Sequence, residues 1–185
     1  MPSDWIIAAR ADPVLNGPTH SERQAASGGN PDAFQEMTSA MSAGPSTLRV
    51  FYTMPSATYS PASQGAIYLI DFSEDCIALS VDTSNYVAAS NLLIEQGGRR
   101  YMAAGNSYCS SPTWSEMPRR SSLGVTDFVQ VDGPVCGDGD SCPDFSTGGK
   151  PLRFGFVRDA AVPARFAAGT IVHGIDNWKV TVWRK

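Results

Sequence analysis

Pro151-Leu152-Arg153-Phe154-Gly155-Phe156-Val157-Arg158 and Asn177-Trp178-Lys179-Val180-Thr181-Val182-Trp183 are the two runs whose reading decides the fold class. In an extended chain successive side chains point to opposite faces. Leu152, Phe154 and Phe156 therefore share one face of the first run. Trp178, Val180 and Val182 share one face of the second, with Lys179 and Thr181 on the other. Each run buries one flank and presents the other outward, which is how a strand of a two-layer β structure is written.

The same pattern extends outward along the chain. Leu48 to Tyr52 is a strand candidate. Gly65 to Phe72 is apolar on both alternating faces, as in a central strand. Ile77, Leu79 and Val81 alternate with Ala78, Ser80 and Asp82, which predicts one buried face. Tyr86 to Glu95 and Arg99 to Ala104 follow, joined by a turn at Gln96-Gly97-Gly98. Gly124 to Val131 is a further strand, and residues 132–149 form a loop rich in Asp and Gly. Residues 1–47 read as loops with an edge strand. Pro31 to Met41 is a short-helix candidate within them, because Asn30-Pro31 resembles an N-cap followed by proline at the first helical position. No long segment of helical period, internal repeat or linker is visible. Residues 1–185 are expected to form a single all-β domain, an antiparallel sandwich of two sheets in the jelly-roll manner.

Composition agrees with this class. Charged residues make up 17% of the 185-residue chain, below the usual value of about 25%, while glycine and proline are plentiful. The formal net charge of −4 argues against nucleic acid as a partner. No run of residues is long and apolar enough for membrane insertion. The first ten residues lack the basic start and apolar core of a signal peptide. Even so, an extracytoplasmic, secreted location is expected from the cysteines. There are four, Cys76, Cys109, Cys136 and Cys142, an even number that suits a disulfide framework with three pairings open. Cys136 and Cys142 bracket a loop short enough to close locally, which leaves Cys76–Cys109 as the longer bridge. The alternative is four reduced, buried thiols.

The closing runs, extended to Pro143-Asp144-Phe145-Ser146, Gly149-Lys150 and Gly174-Ile175-Asp176-Asn177, resemble the final strands of concanavalin A-like domains in bacterial secreted and surface proteins. Gly28-Gly29-Asn30-Pro31 and Ser60 to Ile67 are similar to the opening of such domains. The resemblance implies a concanavalin A-like fold and says little about activity, since lectins, glucanases, laminin-G modules and spacer domains share it.

Candidate chemistry follows from both readings. Glucanases of this superfamily carry three acids along one strand, and two carboxylates about 5–5.5 Å apart retain configuration. Here Asp71 and Glu74 are the candidate catalytic pair, but Leu69 stands where the first acid belongs. That gap favours a non-catalytic carbohydrate-binding or adhesive module. A glycoside hydrolase or lyase, or a spacer without small ligand, are the alternatives. Asp138, Asp140 and Asp144 place hard oxygen ligands at the spacing of a calcium loop, so Ca2+ is a candidate cofactor. Ordinary Asp/Gly turn chemistry is the competing reading. Trp114 and Tyr108 lie in loop-like stretches where an exposed ring stacks on a sugar, and a glycan is the candidate partner. Asp176 and Asn177 are candidate ligand contacts, against a structural reading as a turn at a strand start. Arg99-Arg100 and Arg119-Arg120 read as solvated surface. His20 and His173 lack any nucleophile motif beside them.

Overall fold

The computed structural model describes residues 4–12, 17–81, 87–105, 107–116, 120–131, 133, 136–137, 141–163 and 167–185. Among these, the strands in chain order are β1 (Ile6–Asp12), β2 (Thr19–Gly29), β3 (Asp32–Met41), β4 (Ser46–Tyr59), β5 (Ile67–Val81), β6 (Val87–Gln96), β7 (Arg99–Ala103), β8 (Ser107–Tyr108), β9 (Ser115–Glu116), β10 (Arg120–Leu123), β11 (Phe128–Gln130), β12 (Leu152–Val162) and β13 (Gly169–Arg184). One four-residue helix, α1 (Pro61–Gln64), interrupts them.

The strands form two sheets. Sheet A has the order β1-β4-β12-β6-β7-β11, with β8 beside β6. Sheet B has the order β10-β5-β13-β3-β2, with β9 beside β5. The pairings are antiparallel throughout. The protein is therefore an all-β, two-sheet antiparallel sandwich of jelly-roll, concanavalin A-like architecture.

The core lies where alternation places it. Phe154 and Phe156 of β12 are buried, and Tyr52 of β4 stacks on Phe156 with ring centroids 4.4 Å apart. Trp178, Val180 and Val182 of β13 pack against this cluster from sheet B, and Trp5 meets Phe156 and Trp178 edge-on. Gly155 is required between the two phenylalanines. The pairing of β12 with β4 slips at this point, and a Cβ on Gly155 would lie 1.8 Å from the Tyr52 carbonyl oxygen.

Three local expectations change. The helix candidate Pro31 to Met41 is instead strand β3, Asp32–Met41, preceded by a turn at Asn30-Pro31. Phe34, Met37 and Met41 mimic a helical stripe, but in strand parity Met37 and Met41 face the core while Phe34 lies on the outer face under Trp114. The N-terminal part is correspondingly strand-rich. β1 forms an edge of sheet A, and β2 an edge of sheet B. The strand candidates Gly65–Phe72 and Ile77–Asp82 fuse into the single strand β5. Ser73-Glu74-Asp75 stays extended because β13 pairs along its length and absorbs the irregularity in its own bulge at Asn177. Finally, Leu79 is exposed, not buried as the alternation from Ile77 predicts. Beside it, the Ala78 N–H donates to the Ser111 carbonyl at 2.7 Å.

Candidate functional site

Residues 107–116 cross from sheet A to sheet B: β8 pairs with β6, and β9 pairs with β5. Cys76 and Cys109 are joined midway along this crossing, with Cα atoms 6.0 Å apart, and Cys136 is joined to Cys142. Tyr108 is exposed on the sheet A side. Trp114 is half-buried on the sheet B side, where its indole N–H donates to the Gly28 carbonyl at 2.7 Å and its ring meets Phe34 edge-on at 5.2 Å. Trp114 thus anchors the crossing segment to the β2–β3 connection.

Asp176 and Asn177 form a second anchor. Asp176 accepts from the backbone N–H groups of Asn30 at 2.7 Å and Asn177 at 2.8 Å. The Asn177 side chain donates to Asp75 at 2.6 Å and to the Asn30 carbonyl. Asn177 itself adopts a positive φ of 48°, which the bulge in β13 requires and asparagine tolerates. These contacts tie the β2–β3 turn to the middle of sheet B.

The two candidate acids of β5 are not brought together. Asp71 faces outward, accepting from the Ser122 N–H and from the Trp183 indole N–H, both at 2.7 Å. Glu74 faces the interior, sealed from solvent, and accepts from the Arg158 guanidinium of β12 at 2.6 Å. Carboxylates on opposite faces of one strand cannot flank one glycosidic bond. Asp144 accepts from the Ser146 N–H at 2.9 Å, an Asx turn. Asp138 and Asp140 lie outside the described residues. Among the described residues no three His, Cys, Asp or Glu side chains gather to hold a metal.

Two features escape sequence reading. The first is an interior polar cluster. Glu74, Arg158, His173, Ser39 and Tyr52 are buried between the sheets, and His20 and Glu22 join them from β2. Burial, reinforced by the nearby Arg158 and His20 charges, pushes the His173 imidazole down to about 3, so it is neutral. Burial also lowers His20, against the opposing pull of Glu22, and raises the Tyr52 phenol.

The second feature is the outer face of sheet A. Phe51, Leu93 and Val157 form a separate buried cluster there, with Ala8, Met102 and Val131 packed beside it. Polar side chains rise around this floor. Arg100 lies over the Phe51 ring, its guanidinium carbon 4.8 Å from the centroid, and donates to Glu95 at 2.8 Å. Arg153 reaches the other oxygen of Glu95 at 3.6 Å. Together with Gln130, Thr58 and the Gly97-Gly98 turn these residues line a cleft of about 570 Å³. Two residues back along β4, at the next outward position, Arg49 pairs with Asp159 through bonds of 2.6 and 3.0 Å beside a further cleft of about 420 Å³. One signal could have found this site. A two-residue turn at Gly97-Gly98 sets Glu95 opposite Arg100, the register observed.

Neither a family model nor a curated protein matches the sequence. Solved structures do. A carbohydrate-binding module of the β-sandwich superfamily, studied for promiscuous specificity, overlays with a TM-score of 0.56 at 7% identity, covering 98% of this chain and 58% of that one. An exo-β-agarase overlays with a TM-score of 0.45 at 11% identity, covering 100% of this chain and 24% of that one. A carbohydrate-binding module that recognises mannan overlays with a TM-score of 0.37 at 10% identity, covering 96% and 98% of the two chains. This chain shares the β-sandwich fold of the first of these structures. At 7% identity the likeness is one of fold.

Proposed function

We propose that the chain is a non-catalytic carbohydrate-binding module of a secreted or surface protein, and that it holds polysaccharide in the cleft on the outer face of sheet A. The observation that carries the reading is the built character of that cleft. Glu95, Arg100 and Arg153 hold one another in place over the Phe51 floor, and Gln130 adds an amide. A few oriented, planar polar groups around an apolar floor suit a sugar, whose hydroxyls need directional partners and whose C–H faces need contact. The placement of Asp71 and Glu74 on opposite faces supports binding without cleavage. The two cysteine pairs support an oxidising compartment.

The test is affinity electrophoresis against a polysaccharide panel, with reducing-sugar release measured in parallel. Retention by wild type that Arg153→Ala weakens about tenfold is expected. Retention lost in Tyr108→Ala and kept in Arg153→Ala would move the site to the rim of the sandwich. Release of reducing sugar would overturn the non-catalytic part, and silence on every polysaccharide would favour a spacer domain.

A further inference from the structure

We propose that the ligand class of this cleft is an anionic polysaccharide, one bearing carboxylate or sulfate groups; the inference rests on the carbohydrate-binding reading above. The chain as a whole is acidic, with a formal net charge of −4. The cleft is the reverse. Arg99, Arg100 and Arg153 line it, with Glu95 as the one carboxylate among the described residues that line it. A contiguous cleft of about 370 Å³, which shares Gln96, Gly97 and Arg99 with the first, adds Lys150 and Asp144. Asp144 already accepts a backbone N–H from Ser146. Glu95 sits between two guanidinium groups, so one negative charge is set against two positive ones.

The arginines are within a ligand's reach. The Arg100 and Arg153 side chains are 37% and 43% exposed where they line the cleft, with the Arg153 Nε itself buried. Guanidinium presents a planar fork of N–H donors that matches a carboxylate or a sulfate oxygen pair, and such charge-assisted bonds are the strong ones. The excess is local. The outer face of sheet B carries Asp71, Asp75, Glu36 and Glu116, with Arg23 and Lys179 among them. The positive patch therefore draws a polyanion to one face of a molecule that otherwise repels it.

Isothermal titration of the intact chain separates the outcomes. The probes are polygalacturonate and alginate for carboxylate, dextran sulfate and carrageenan for sulfate, and pullulan, galactomannan and laminarin as neutral glycans. At least one anionic arm is expected to bind tenfold or more tightly than every neutral probe, with affinity falling steeply between 50 and 500 mM salt. The arm that binds identifies the anionic group. Arg100→Gln and Arg153→Gln should each weaken that binding about tenfold. Glu95→Gln should tighten it, and Lys179→Gln on the opposite sheet should leave it unchanged. Binding to neutral probes alone overturns the inference and leaves the carbohydrate-binding reading intact; binding to none overturns both. Unchanged anionic binding in folded Arg100→Gln and Arg153→Gln, with melting temperatures near wild type, also overturns it.

Discussion

Glu74 shows what a single side chain contributes once its face is known. Read along the sequence, it belongs to a candidate acid pair with Asp71. In the fold it is sealed from solvent and bonded to Arg158 at 2.6 Å. Removing one partner of a buried ion pair strands the other charge, which typically costs 3–5 kcal/mol, whereas replacing both by apolar groups is often neutral. Arg158→Met should therefore lower the unfolding free energy by about 3 kcal/mol in urea titrations, and adding Glu74→Leu should restore most of it. A double variant no more stable than Arg158→Met would contradict the pairing. His173, from the neighbouring strand, makes the same interior sensitive to acid. Its folded value of about 3 lies below the ordinary 6.5, so the unfolded chain takes up a proton first. The contribution of a neutral His173 is complete above pH 6.5 and declines as the pH falls toward 3, by about 1.4 kcal/mol per pH unit. Arg158 and Tyr52 face it from sheet A, and Glu74, His20 and Glu22 share the inner face of its own sheet. His173→Phe should lose stability less steeply than wild type between pH 6.5 and 4 in parallel urea titrations.

At the scale of elements, short local signals succeeded where a turn is self-contained and failed where a neighbour decides. The Gly97-Gly98 hairpin is legible because both glycines adopt positive φ, 60° and 82°, as a two-residue turn of primed type demands. Strand β3 is not legible in that way. Its apolar residues suit either period, and only pairing with β13 and β2 makes it extended. The fusion of β5 has the same origin in its long pairing with β13. The cysteine pairs act on elements too. Cys76–Cys109 fixes the crossing segment to β5 across 33 residues of chain, and Cys136–Cys142 closes a separation of 6. Loop-closure entropy gives about 3.7 kcal/mol for the longer loop and about 2.2 for the shorter. Cys76→Ser/Cys109→Ser should thus destabilise more than Cys136→Ser/Cys142→Ser, as measured by denaturation without reductant. The reverse order would show that the crossing segment holds its place by packing through Trp114 alone.

For the molecule as a whole, connectivity matters more than order along the chain. β13, the last strand, is flanked by β5 and β3 in sheet B. Its Trp178, Val180 and Val182 close the core over Phe154 and Phe156 of sheet A. Ending the chain after Asp176 would expose that core and unpair the first half of β5. The truncated protein is expected to lose its cooperative thermal transition and to collect in the insoluble fraction on expression. A soluble truncation that still melts cooperatively would mean that the remaining strands suffice. Charge is also organised at this scale. The acidic balance of the chain conceals an arginine-lined face on sheet A and a carboxylate-rich face on sheet B, because composition averages over faces that strand parity separates.

The sequence by itself determined the class: two-residue alternation at Leu152–Phe156 and Trp178–Val182 specifies strands with one buried flank, and such flanks are satisfied only by a second layer. It also carried the Gly97-Gly98 turn, which depends on residues adjacent in the chain. Tertiary structure alone decided that Glu74 meets Arg158, that Trp114 anchors on Gly28, and that Arg153 of β12 joins the Glu95–Arg100 hairpin pair over Phe51 of β4. Each of these contacts joins strands distant in sequence, and which strands become neighbours follows from the packing of the entire sandwich and not from any local pattern.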